Sequence, residues 1–195
     1  MKKTTKGALA ASTAAVLLLG GAGSLAYWTA TGTANGGAIT AGKLTLSNGT
    51  CDANWVYAPG ALKAGTTVAL FVPGDKVTKK CTFTIGATGD NLSATVSAPS
   101  TVAFTSAPTG TSFSITNAAT YAISGGTNPR TVANAGVIDS RDNTGVLTAT
   151  FVATVPFGTD ETGTPKINAN DTQNLVATLN TLTVSLTQIN PNPGP

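Results

Sequence analysis

Two cysteines, Cys51 and Cys81, and a few carboxylates are the residues of this 195-residue chain with chemistry to offer. Histidine is absent, which excludes Ser-His-Asp, Cys-His and zinc-protease arrangements. The carboxylates form local pairs, Asp139/Asp142 and Asp160/Glu161. Both pairs sit in polar, turn-forming stretches and read as solvated turns rather than as general acid and base. Asn168, Asn170 and Asp171 offer oxygens to a calcium ion, but their spacing matches no calcium loop, and loop Asn and Asp usually make turns. No glycine-rich loop follows a strand and opens a helix, so there is no phosphate cradle. Lys79-Lys80 reads as the end of an alternating strand. Trp55, Tyr57 and Phe71 read as core or disulfide cover rather than a sugar-stacking platform. The residues point to no enzyme, no metal and no cofactor.

The ends of the chain say more about where it works. Residues 1–26 read as an export signal: Lys2, Lys3 and Lys6, an uncharged stretch from Gly7 to Gly23, then Ser24-Leu25-Ala26 with small residues at −3 and −1. Cleavage after Ala26 makes Tyr27 the new N-terminus. The alternative is an uncleaved anchor with Tyr27 and Trp28 at the membrane interface, but only residues 16–19 are strongly apolar. The three leader lysines carry the whole formal +3, so the chain without them is neutral. Neutrality offers nothing to nucleic acid or anionic lipid and leaves little repulsion between copies. Membrane contact is expected only transiently, through the signal and its peptidase. In an exported chain the even pair Cys51 and Cys81 reads as a disulfide. Closing a loop of ~30 residues contributes roughly 3–4 kcal/mol in the chain-entropy model. A two-cysteine metal site is the alternative, with no histidine to complete it.

Period-two alternation supplies the elements. In 77–85, Val77, Lys79, Cys81, Phe83 and Ile85 share one face. In 146–157, Leu147, Ala149, Phe151, Ala153 and Val155 do so, and in 180–189, Leu182, Val184 and Leu186. Threonine fills the opposite faces, as a half-buried sheet favours. Shorter strands are expected at 39–46, 67–72, 92–96, 101–105, 111–116 and 120–124. Turn residues at 48–49, 73–75, 88–91, 107–111 and 124–129 separate them. Loops at 125–145 and 158–172 are expected to be irregular and exposed, with a short helical turn competing at 170–180. The pattern predicts an all-β, antiparallel two-sheet β-sandwich or jelly roll. An N-terminal signal helix (1–26) and a flexible arm (27–38) precede the domain (39–190), and a Pro-rich tail (191–195) follows it.

Three stretches together resemble the TasA/camelysin family of exported β-proteins, processed by a SipW-type signal peptidase. "GSLAYWTATGTANGGAITAGKLTL" (23–46) resembles the family's start, with Lys43 and Thr45 replacing its usual threonine and aspartate. "FVPGDKVTKKCTFTI" (71–85) resembles its turn and strand, matching at Pro73, Gly74, Asp75 and Lys76. "TQNLVATLNTLTVSLTQ" (172–188) resembles its closing segment, retaining Gln173, Asn174 and Gln188. The middle, about 98–160, carries no resemblance. The resemblance implies a jelly-roll subunit of an extracellular biofilm fibre, assembling by donor-strand exchange. A polar, glycine-containing arm cannot fold alone and is free to add to an open sheet edge, with Tyr27 and Trp28 as its anchors. Such head-to-tail insertion builds filaments. A disordered leader is the alternative for the arm. For the protein, the alternatives are a monomeric cell-surface adhesion module and a camelysin-like endopeptidase, which the missing histidine disfavours.

Overall fold

The structure, a computed structural model, describes residues 30–101, 104–107, 110–179 and 181–192. The chain divides into two units, Met1–Ile39 and Thr40–Pro195. Of the first, residues 30–39 are described; they are exposed and have no regular secondary structure. The signal segment, the Ala26 cleavage site and the anchors Tyr27 and Trp28 lie outside the described residues, as does most of the tail.

In the second unit, alternating threonine and apolar residues extend the backbone into short strands. These are β1 (Lys43–Leu46), β2 (Thr50–Cys51), β3 (Val56–Tyr57), β4 (Lys76–Thr88), β5 (Ser93–Ser97) and β6 (Phe104–Ala107). There follow β7 (Thr116–Ser124), β8 (Arg130–Val132), β9 (Val137–Asp139), β10 (Val146–Thr154), β11 (Val176–Leu179) and β12 (Ser185–Gln188). All the pairings are antiparallel. One sheet runs β1-β4-β10-β7-β8, and β2 and β3 also pair with β4. The remaining strands form two separate pieces, β12-β5-β9 and β11-β6. The fold is therefore mainly β, antiparallel and sandwich-like.

Register makes the large sheet's inner face a lattice. Phe83, Leu147 and Ile123 are paired across β4, β10 and β7; so are Cys81, Ala149 and Tyr121. The next rows are Lys79, Phe151 and Ala119, then Val77, Ala153 and Asn117. β5, β9 and β12 cover one end of this lattice, where Ile85, Val96, Ile138 and Leu147 are buried together with Leu186 against them. At the other end Val77, Ile115, Ala153 and Val155 form a smaller cluster, with Phe71, Phe113 and Leu179 packed on it.

Several expectations are corrected by competing local bonds. The predicted strand 67–72 shrinks to one bridge, Val56 with Thr67. Beyond it the Tyr57 hydroxyl donates to Leu70 O, and the Val72 N–H donates to the Asp75 carboxylate at 2.8 Å. Of 111–116, only Thr116 is in a strand, because side chains take the ladder's place: Ser112 N–H donates to Asp171 and Ser114 N–H to Asn168. The loop 125–145 is not irregular, since it holds β8, β9 and a 3-10 turn at Ser140–Asp142. Nor is 158–172 wholly exposed, for Asn168 and Ala169 are buried. The helical turn at 170–180 is reduced to Asn170–Thr172, with β11 following. Only 185–188 of the predicted strand 180–189 pairs.

The lattice predicts a sharp asymmetry between faces. Leu147→Ala, at a fully buried position, should lower unfolding free energy by about 2–5 kcal/mol. Thr148→Ala, on the opposite face, should change it by under about 0.5 kcal/mol. Urea denaturation of both variants measures the difference.

Candidate functional site

Two polar side chains interrupt the apolar lattice, Lys79 on β4 and Asn117 on β7. Each lines an opening in the layer above. The larger groove, about 460 Å³, is bordered by Gly49, Cys51, Trp55, Lys79, Phe83, Leu179, Thr181 and Leu182. The smaller recess, about 200 Å³, is bordered by Pro99, Thr101, Asn117, Phe151, Thr181, Leu182 and Thr183. Thr181 and Leu182 belong to both, so the stretch between β11 and β12 forms the rib dividing one trench.

That rib is strand sequence outside the ladders of the described residues. Thr181 and Thr183 face solvent while Leu182 and Val184 are half-buried. Leu182 and Val184 pack on the core. No backbone hydrogen bond joins 181–184 to another described residue. The alternation that predicted a strand is thus intact in side-chain placement and unfulfilled in pairing. Backbone N–H and C=O groups that no other described residue answers are a template for another strand.

Lys79 faces inward in register with Phe151 yet is only half-buried. Its ammonium lies 6.0 Å from the Trp55 ring centroid and donates to Ala53 O at 3.5 Å. An ammonium is tolerated between layers only where water reaches it, so this part of the lattice is open. Phe83 borders the same groove; a Cβ at Gly49 would stand 2.4 Å from its ring, so a larger residue there would have to push the ring aside. The Cys51–Cys81 disulfide closes the floor, holding two-residue β2 to β4. Asp52 N–H donates to Lys80 O at 2.9 Å. The cysteines therefore occupy the adjacent non-hydrogen-bonded pair, where opposed residues come closest; their Cα atoms are 3.9 Å apart. An intramolecular disulfide fits a chain that folds in an oxidising compartment.

Asn117 is 8% exposed. Its Nδ2 donates to Pro99 O at 2.8 Å, and its Oδ1 is the one buried side-chain polar atom among the described residues with no partner. An acceptor left in that state costs about 1–3 kcal/mol. Two rows along β7, Tyr121 is satisfied: the phenol donates to Asn134 Oδ1 at 3.2 Å, and burial pushes its pKa up to about 12.

The other residues singled out from sequence serve the scaffold. Pro73, Gly74, Asp75 and Lys76 form the turn into β4. Gly74 has φ +100°, and its N–H reaches Val155 O at 2.7 Å while Val155 N–H reaches Asp75 O at 2.9 Å. The turn thereby fastens the start of β4 to the end of β10. Trp55 borders the groove, and Tyr57 and Phe71 pack on the smaller core cluster.

Asp142 overturns the reading of its pair as a solvated turn. It is fully buried, and Arg130 grips both its oxygens. Arg130 also donates to Asn128 O at 3.2 Å and Val137 O at 2.9 Å. The Asp142 carboxylate accepts in addition from Asp139 N–H at 2.9 Å. The hydrogen bond to Asp142 raises the Arg130 pKa. One guanidinium thus ties β8, β9 and the 3-10 turn together. Proximity in sequence could not show this, because the partner lies twelve residues away.

The oxygens weighed for calcium are engaged in holding the local loops. Asn168 Oδ1 accepts from Ser114 N–H at 2.8 Å, and its Nδ2 donates to Pro156 O. Asp171 accepts from the Ser112 N–H and hydroxyl, and Asn170 Oδ1 accepts from Gln173. Asp160 caps Thr162, while Glu161 pairs with Lys166 at 3.0 Å. Among the described residues no group of three His, Cys, Asp or Glu is placed to hold a metal.

Comparison with known proteins finds no matching family model, no matching curated protein and no matching solved structure.

Two stability predictions follow from the carboxylates. Asp142→Ala strands Arg130, whose side chain is 26% exposed, and should cost about 3 kcal/mol by urea denaturation. The second concerns acid. Hydrogen bonds lower the pKa of Asp139 (chiefly from Arg141), Asp160 (Thr162), Glu161 (Lys166) and Asp171 (Ser112). Their folded values lie below their unfolded ones, so their contribution is complete above about pH 5. It is lost as pH falls through the folded values, below about pH 4. Tm should therefore be flat from pH 5 to 7 and drop below about pH 4, by scanning calorimetry.

Proposed function

We propose that this chain is a secreted structural subunit, a jelly-roll-type domain that polymerises head to tail into an extracellular filament of a biofilm matrix. The arm 27–38 of one copy lies along the trench of the next, adding the strand that the split layer lacks. The observation that carries this reading is the open trench over Lys79 and Phe151, divided by a rib, 181–184, with no backbone hydrogen bond to another described residue. Three further features support it. Residues 30–38 are exposed and outside regular structure, so they are not committed to a ladder. The chain without its leader lysines is neutral, so copies approach without long-range repulsion. The stretches resembling the TasA/camelysin family include both the arm and the segment 172–188, which contains the rib.

Main-chain hydrogen bonds to the rib give such a contact affinity, and alternate side chains entering the trench give it register. Signal peptidase cleavage after Ala26 frees the arm. Negative-stain microscopy and sedimentation of the exported protein, with and without residues 27–38, test the proposal. Filaments are expected from the intact protein and monomers from the truncated one. A protein that stays monomeric at high concentration, whether or not the arm is present, rules the reading out.

A further inference from the structure

The two ends of β4 are unlike. The strand runs from Lys76 to Thr88, a length of about 40 Å. At the Thr88 end the chain enters the β unit: Lys43 N–H donates to Thr88 Oγ1 at 3.0 Å, and Leu44 lies opposite Ala87. At the Lys76 end, Leu62, Leu70, Val72 and Phe157 face water. Leu62 is fully exposed, Leu70 and Phe157 are 84% and 83% exposed, and Val72 is more than half exposed. Bonds to the start of β4 gather them there. Ala58 N–H donates to Lys76 O at 2.8 Å and Gly65 N–H to Tyr57 O at 2.9 Å, which closes the loop carrying Leu62 at this end. The Tyr57 hydroxyl donates to Leu70 O, and Asp75 N–H donates to Val72 O at 3.0 Å. A Cβ on Gly74 would lie 3.5 Å from the Phe157 ring. Phe71, between Leu70 and Val72, takes the inward place beside Phe113, their ring centroids 5.5 Å apart. Exposed apolar residues scattered singly need no explanation, but a group of them at one end of a sheet marks a contact surface.

The donor-arm reading, on which this inference rests, says what covers that surface. Lys79, in the trench, lies roughly 10 Å along β4 from Lys76 and roughly 30 Å from Thr88. The arm 27–38, extended, spans at most about 40 Å, so it reaches a neighbour's trench from either end. Direction decides the assembly. Arms entering from the Thr88 end set like ends face to face, and two copies close into a symmetric pair. Entry from the Lys76 end sets unlike ends together, and that contact repeats without closing, as a filament requires. The arm-bearing end then covers the apolar end of the next copy. It brings an apolar group of its own, Ile39, the last residue of the first unit, which is 97% exposed. We propose that Leu62, Leu70, Val72 and Phe157 form the seat for the arm-bearing end of a second copy of the chain, with Ile39 among the groups received there.

The test uses the full exported chain carrying Leu70→Ser and Phe157→Ser together, both at exposed positions, with folding checked by circular dichroism. A labelled peptide of residues 27–38 should bind this variant as it binds the wild type, by fluorescence anisotropy, because the trench is untouched. Filament assembly, read by sedimentation, should need about tenfold more protein or fail, since the contact loses two apolar side chains. Cross-linking locates the partner. The native cysteines are held in their disulfide, so a bismaleimide reads only introduced thiols. It should join Ile39→Cys copies to Phe157→Cys copies assembled together, and should leave Phe157→Cys copies alone uncoupled. Wild-type assembly by the serine variant, coupling of Phe157→Cys to itself, or absence of the mixed cross-link overturns the assignment while leaving the arm's docking intact. If the serine variant assembles normally but loses a wild-type affinity for phosphatidylcholine vesicles, the surface meets lipid and the assignment falls. A wild-type chain that binds the peptide without assembling overturns it too. No peptide binding and no filaments from the wild-type chain remove both the assignment and the donor-arm reading.

Discussion

The ladder between β4 and β10 is the constraint on which the rest of the structure depends. Its register runs unbroken from Val146 opposite Thr84 to Thr154 opposite Lys76, and β7 continues it on the far side of β10 from Ser124 to Thr116. Because side chains alternate strictly, this register decides which residues become neighbours on the inner face. A slip of one position would send Leu147, Phe151 and Tyr121 into water and bring threonines inside. The buried rows hold the register, and the register in turn holds every residue of the trench.

Around that ladder, short pieces are kept in place by specific bonds rather than by their own length. The outer side of β4 is met in succession by β1, β2 and β3, of which β2 and β3 have two residues each. Strands that short gain little from pairing alone, and the disulfide supplies what β2 lacks. Elsewhere polar side chains substitute for ladder partners. Asn168 and Asp171 hold the approach to β7, and the Arg130–Asp142 pair knits β8 to β9. Buried ion pairs of this kind serve geometry more than net stability. The trench edges therefore have fixed positions although most of the surrounding strands are brief.

The opposing layer is where the design leaves space. Its described strands fall into two pieces, β12-β5-β9 and β11-β6, and residues 181–184 keep the side-chain alternation of a strand with no backbone bond to another described residue. An open trench, a chain that is neutral without its leader lysines and a described segment, 30–38, outside regular structure are the physical ingredients from which head-to-tail assembly is proposed.

Much of the scaffold was legible in one dimension. Period-two alternation placed the inner faces of β4 and β10 correctly, residue by residue, because a half-buried strand writes its burial directly into its sequence. The pair Cys51 and Cys81 and the turn at Pro73–Asp75 were legible for the same reason, being local in composition or in backbone chemistry. The strand expected at 111–116 failed because distant side chains, Asn168 and Asp171, competed for its backbone. Asp142 was misread because its partner Arg130 belongs to another strand. Lys79 and Asn117 gave no signal: each is a polar residue at an inward position, and only packing of the second layer tells whether such a position is covered or open. Sequence alone determined which faces are apolar and where the chain turns, since those follow from neighbours a few residues apart. Tertiary structure alone decided that the described strands opposite the large sheet fall into two pieces and which inward polar residues border the openings there, because both depend on how segments distant in sequence meet.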